Sequence, residues 1–246
     1  MVKSPALEEH LFAPSVEGAF LHTSPEFSLK RVLAKGLPRV YSICPCFRKE
    51  EWGPLHTEEF TMVEWYRAGC GYWEIMGEVE ELVRSVASGL CVPIEERPFR
   101  RLSYAEAFHR FTASPPPCDE VEAMRVWIND IEPRLMEPTF VYDYPSSQAA
   151  FATVRGEIAE RFELYMNGVE LANAFTELLD STELLRRWES NNAARKASGQ
   201  EPHPIDERVV AAVATHPRAG GVAVGFDRLL MVLCGGTDIR EFQIPG

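Results

Sequence analysis

Asn167-Gly168 stands between two runs rich in β-formers, Ala159–Met166 and Val169–Leu178. A two-residue turn with both residues at positive φ matches the twist of paired strands, and Asn-Gly takes that turn most readily. The segment therefore reads as a β-hairpin, and period-2 alternation sorts its side chains. On the second strand Asn173, Phe175 and Glu177 share one face, while Glu170 has the opposite parity unless a bulge intervenes. A carboxylate beside an amide and an aromatic ring is unusual for a plain core, because a partly buried acid needs a cationic partner.

A second strand pair lies upstream. Arg39–Arg48 and Glu59–Arg67 flank a loop, Lys49–Thr57, that carries Gly53-Pro54. Phe60, Met62, Glu64 and Tyr66 face one side, and Thr61, Val63 and Trp65 the other. Two readings follow: an edge strand with a half-wet face, or the wall of a pocket for an ammonium group.

Helices surround these strands. Ser24 is an N-cap, Pro25 fits a first helical position and Glu26 suits the positive helix end, so a helix runs from there to a stop at Gly36. Further helices are expected over 73–90, 103–111 and 181–198, the last opened by an Asp180/Glu183 capping box and ended by Gly199. A proline-rich loop and a small helical insertion fill about 112–137, before a strand over 139–145. Gly220–Gly225 reads as a buried strand, and Asp227 opens a helix through Leu233. Strands crowd the middle without βαβ alternation. The expected class is α+β, an antiparallel sheet flanked by helices, as one domain over 1–246.

Charge narrows the partners. Lys plus Arg is 25 against 37 Asp plus Glu, a net charge of −12, which argues against gripping a nucleic-acid backbone by bulk charge. Arginine supplies 20 of the 25 basic residues. Arg48 and Arg228 are the phosphate-binding candidates; Arg228 lies in the first turn of a helix behind a Gly-rich strand, where backbone donors favour anions. Either alone reads equally as a surface ion pair. Paired carboxylates such as Glu170 and Glu177 also suit magnesium shared with substrate phosphates. The six cysteines form no CxxC pair and have no histidine at zinc spacing, so they read as reduced thiols. With no signal-peptide core and no membrane-length apolar run, a cytoplasmic protein without a membrane partner is expected.

Phe47-Arg48-Lys49-Glu50, His56, and Glu59-Phe60-Thr61-Met62-Val63-Glu64-Trp65-Tyr66 resemble motif 2 of lysine-type class II aminoacyl-tRNA synthetases. Gly220-Gly221-Val222-Ala223-Val224-Gly225-Phe226-Asp227-Arg228-Leu229 resembles motif 3. With Thr23-Ser24-Pro25-Glu26, Gly168-Val169-Glu170-Leu171-Ala172-Asn173 and Pro202-His203-Pro204-Ile205-Asp206, the chain over about 20–235 is similar to the elongation factor P–lysine lysyltransferases, paralogs of lysyl-tRNA synthetase.

That resemblance implies an ATP-dependent ligase that makes an acyl-adenylate of lysine or (R)-β-lysine and transfers it to a lysine of elongation factor P. It places Arg48 on the α-phosphate of ATP and Arg228 on the γ-phosphate. Glu50 reads the adenine amino group, and Phe60 stacks on the ring with Arg228 across it. His56, Thr57, Leu171 and Gly225 complete the nucleotide site. Glu170, with Glu177 near by, holds Mg2+. Ser24, Pro25 and Glu26 fix the amino-acid end of the donor, Tyr66 and Glu177 bind its side-chain ammonium, and Glu64, Asn173, Phe175 and Ala223 line its pocket. Thr57 stands where the family usually has Asn, Ala174 where it has Gly, and Ala223 where the synthetases have Gly, a methyl that favours a β-amino acid. Motif 1, the dimer-forming segment, is expected before the first residue, so a homodimer is less secure than in the family. Two alternatives remain: a lysyl-tRNA synthetase-like enzyme charging tRNA, disfavoured by the acidic charge, and a catalytically silent binding or regulatory paralog.

Overall fold

The computed structural model describes residues 1–8 and 10–243. Its elements, in chain order, are β1 (Ser15–Val16), β2 (Ala19–Phe20), α1 (Glu26–Leu33), β3 (Arg39–Phe47), β4 (Glu59–Ala68), α2 (Tyr72–Gly89), β5 (Arg100–Ser103), α3 (Tyr104–Thr112) and α4 (Glu120–Val126). There follow β6 (Thr139–Pro145), β7 (Val154–Arg155), β8 (Ile158–Met166), β9 (Val169–Thr176), α5 (Ser181–Ala197), α6 (Glu207–Val213), β10 (Ala219–Gly225) and α7 (Phe226–Leu233).

One sheet organises the molecule, in the order β3-β4-β10-β9-β8-β6-β5, with β7 beside β8. Six of these neighbours pair antiparallel, whereas β5 runs parallel to β6, so the sheet is mixed at that margin. β4 lies between β3 and β10 rather than at an edge, which removes the half-wet edge reading of its Glu64 face.

The hairpin forms as its turn residues dictate: Asn167 and Gly168 adopt φ of 53° and 72°. Between Leu164 and Tyr165 the β8–β9 register slips, so that Leu164 faces Ala172 while Tyr165 faces Glu170. This bulge returns Glu170 to the side shared by Asn173 and Phe175.

The two faces of the sheet have different jobs. Val222 and Val224 of β10, Ala172 and Ala174 of β9 and Val63 and Trp65 of β4 pack against α2 and α7 in the largest apolar cluster. The alternate residues, Gly221, Ala223 and Gly225, Asn173 and Phe175, and Glu64 and Tyr66, line a cavity on the other side. There α1, α5 and α6 gather around Phe27, Phe151, Leu184, Trp188 and Val209.

The insertion is a short α4, a π-helical turn over Trp127–Ile131 and a 3-10 turn over Glu132–Arg134. Its inner side, Ala123, Trp127 and Ile131, is buried. Trp127 stacks on Tyr104 at 5.0 Å between ring centroids. Helix α6 was absent from the sequence reading; Asp206 caps it by accepting from Arg208 N at 3.0 Å. Among the described residues no helix is long and apolar enough to cross a membrane.

Candidate active site

The cavity encloses about 380 Å³ and runs from α1 across β4, β10 and β9 to the start of α7. One end is built from carboxylates. Ser24, just before α1, accepts from Glu26 N (2.9 Å) and donates to Glu64 Oε2 (2.7 Å), while Tyr66 donates to Glu64 Oε1 (2.6 Å). Burial, then the charge of Glu26, raises the Glu64 carboxyl to about 8 despite both hydrogen bonds. Burial also raises Glu26 and, well above its usual range, Tyr66. Ala223 sits opposite Glu64 on one side and Asn173 on the other, so its methyl faces this end of the cavity. Pro25 lies outside the wall; its carbonyl accepts from Ser28 and Leu29 to start the helix.

The other end carries the arginines. The Arg48 guanidinium lies 5.1 Å from the Phe60 ring centroid, with its Nε buried and without a hydrogen-bond partner. Arg228 donates to Leu55 O (3.1 Å), to Glu170 O (3.2 Å) and to His56 Nε2 (2.6 Å). Burial, then the Arg228 charge, lowers the His56 pKa, which keeps the ring neutral and able to accept. Phe60 is thus covered by Arg48 on one face. Thr57 Oγ1 donates to Glu59 O (2.7 Å) and accepts from Gln243 Nε2 (2.7 Å), so its hydroxyl is engaged within the protein. A Cβ at Gly225 would meet only the Arg228 side chain, at 3.6 Å. The protein's own packing therefore leaves room there.

Glu50 is exposed, with a φ of 65° and its N–H bonded to Glu58 Oε1 (3.0 Å), and its neighbour Glu51 lines the cavity. One expectation needs correction. Glu177 does not join Glu170. Seven residue steps of near-extended chain separate them, a span of about 20 Å, and Glu177 is fully buried with Oε2 2.7 Å from Lys30 Nζ. His22, distant from the cysteines in sequence, comes with its ring nitrogen within 4.8 Å of the Cys44 and Cys46 sulfurs. His22 Nε2 is engaged with Pro45 O at 2.8 Å, and burial pushes the Cys46 thiol up, so it holds its proton.

The carboxylate beside Glu170 is Glu163, which the sequence reading missed. It projects into the cavity from β8, paired with Asn173. Tyr144 (2.5 Å) and Tyr165 donate to its Oε2 and Arg161 to its Oε1. Trp127 of the insertion donates to Tyr165 OH at 3.1 Å, so the insertion braces this acid. Burial, then the charge of Glu163, raises Glu170 to about 7. Glu163 and Glu170 put carboxylate oxygens on one wall, Glu163 already paired with Arg161, and oxygen donors of this kind suit a hard divalent cation, so the residues present fit magnesium through Glu170 with Glu163 beside it. The signal was partly available: counting Glu163 and Tyr165 back from the turn puts them on the face of Glu170, and the bulge then joins that face to Asn173.

Gly221 is the other residue sequence reasoning passed over. A Cβ there would overlap the Tyr66 ring and Glu177 Oε1, so only glycine lets these two side chains approach β10.

A buried acid pocket joined to an arginine pocket on one sheet suits a ligand that carries both ammonium and phosphate groups. The family of class II tRNA synthetases (D, K and N) matches residues 1–244, and the chain belongs to it. Similar curated proteins carry the name elongation factor P–(R)-β-lysine ligase. That of Proteus mirabilis is 39% identical over 90% of this chain and 75% of its own, and that of Photorhabdus laumondii 37% over 92% and 77%. The Haemophilus ducreyi protein is 36% identical over 96% and 78%.

Proposed function

We propose that the chain activates lysine or (R)-β-lysine with ATP and transfers the aminoacyl group to a lysine side chain of elongation factor P. The observation that carries this reading is one continuous cavity with buried carboxylates and a phenol at one end and two arginines at the other. The names and 36–39% identities of the relatives support it, and the net charge of −12 favours a protein over an RNA acceptor.

Glu26, Glu64 and Tyr66, with Glu177 beside them, take the donor's ammonium groups, and Asn173, Phe175 and Ala223 shape its pocket. Arg48 and Arg228 take the triphosphate, with His56, Thr57, Phe60, Leu171 and Gly225 around the nucleotide. The donor carboxylate attacks the α-phosphorus and pyrophosphate leaves. The acceptor amine then attacks the acyl carbon, AMP leaves, and an amide remains. No side-chain nucleophile is needed, because orientation and charge stabilisation carry the rate. Glu170, with Glu163 beside it, would hold magnesium, which would supply charge neutralisation for the phosphates.

Intact-mass analysis of elongation factor P tests the acceptor. Incubated with this protein, ATP, magnesium and β-lysine, it should gain the mass of one lysyl residue. Unmodified factor alongside charged tRNA would overturn the acceptor assignment.

A further inference from the structure

Lys30 is the one lysine that the fold hides. It lies on α1 four residues after Glu26 and is 1% exposed. Its Nζ is 2.7 Å from Glu26 Oε1 and 2.7 Å from Glu177 Oε2. The Phe151 ring centroid is 3.8 Å away, and the Tyr66 ring lies beyond at 6.0 Å. Lys30 itself does not line the cavity, but Glu26 and Tyr66 do. Glu177 Oε1, buried and without a hydrogen-bond partner, faces Gly221 of the cavity wall.

Stability does not account for this arrangement. Burying an ammonium with two carboxylates costs desolvation that their attraction roughly offsets, and well-packed apolar side chains of the same size often do as well. What the ion changes is the charge of the cavity floor. Three acids, Glu26, Glu64 and Glu177, crowd one end; with burial and mutual repulsion and no fixed cation, such acids take up protons and lose their hold on a ligand cation.

We propose that Lys30 is a positioning residue for the amino donor: by bridging Glu26 and Glu177 from behind the cavity, it fixes both carboxylates in place and keeps them charged to receive the donor's ammonium groups. This rests on the donor pocket proposed above. Lys30 opposes the burial that raises Glu26 and Glu177. In return, against its own burial, Glu177 and then Glu26 hold its pKa above the ordinary lysine value. The other titratable groups facing the cluster are Glu8 from the amino-terminal segment, Glu64 and Tyr66 from β4, and His216 after α6. His216 is kept neutral by burial, and its Nδ1 is engaged with Pro217 O at 2.8 Å, so it does not substitute for the ammonium.

The test is ATP–pyrophosphate exchange by Lys30→Gln and Lys30→Met, with β-lysine and with α-lysine, from pH 6.5 to 8.5. The donor KM of both variants should rise about tenfold or more at pH 6.5 and approach the wild-type value by pH 8.5, as the freed carboxylates ionise. The KM for ATP should stay unchanged. In a Glu177→Gln background the further loss on removing Lys30 should shrink. A donor KM unchanged by Lys30→Gln, or raised equally at every pH, would overturn the proposal. So would failure of both variants to fold, because the ion would then serve the fold. Absence of exchange in the wild-type protein would instead refute the functional reading on which the proposal rests.

Discussion

The two ends of the cavity are made differently. At the acid end, Glu64 accepts from Ser24 and Tyr66, and Glu26 and Glu177 share Lys30, so each carboxylate is fixed before any ligand arrives. At the arginine end, Arg228 rests on Leu55 and Glu170 carbonyls and on His56, and Arg48 lies over Phe60 with its Nε unpartnered. Neither guanidinium faces a carboxylate closer than the 3.8 Å between Arg48 and Glu51 among the ion pairs of the described residues. A small cationic group is read by a rigid set of acids, whereas a large polyanion is met by cations held on weak carbonyl contacts that it can displace.

Breaking the arginine end should have the largest effect. Arg228→Ala removes a charge aimed at phosphate while leaving the apolar side of α7 intact, so exchange should fall about 100-fold or more with little change in Tm. Retained exchange would show that the guanidinium does not serve the nucleotide.

At the acid end, Gly221→Ala forces a methyl against Tyr66 and Glu177. The donor KM should rise about tenfold or more while the ATP KM holds, and stability should fall by about 1–3 kcal/mol from overpacking. Equal changes in both KM values would mean that the two ends are not separable.

Glu64→Gln separates stability from binding. Glu64 is raised by burial and the nearby Glu26 charge to about 8, above the ordinary 4.5. The folded state therefore holds a proton that the unfolded chain releases between these values, and this acid makes stability fall as pH rises through that window. The variant should match wild type near pH 4 and exceed it in Tm by pH 8.5, by about 2–4 °C per kcal/mol in a chain of this size. A Tm difference independent of pH would contradict the assigned burial. Donor affinity should meanwhile weaken, the sign opposite to stability.

Much of this frame was legible in the residues. Asn167-Gly168 fixed the hairpin, and alternation on Glu59–Ala68 placed Glu64 and Tyr66 together on the cavity side. Local pattern failed where a contact is long-range. β5 pairs in parallel with β6 across the whole of α3, α4 and the insertion, and four residues starting Arg-Arg carry no strand signature. Lys30, four residues after Glu26 on α1, carries no local signal of burial; the Phe151 ring and Glu177, distant in sequence, enclose it. Glu170 depended on a bulge that alternation alone does not place, and the same bulge brings Glu163, unread in the sequence, opposite Asn173.

The central claim is that one cavity joins a reader of diamines to a holder of triphosphate. Amino-acid-dependent ATP–pyrophosphate exchange measures that junction directly, with β-lysine and α-lysine compared against norleucine, which has the chain but lacks the side-chain amine. The account predicts exchange with at least one of the two lysines and none above background with norleucine. Exchange that is equal with norleucine, or that proceeds without any amino acid, would contradict it.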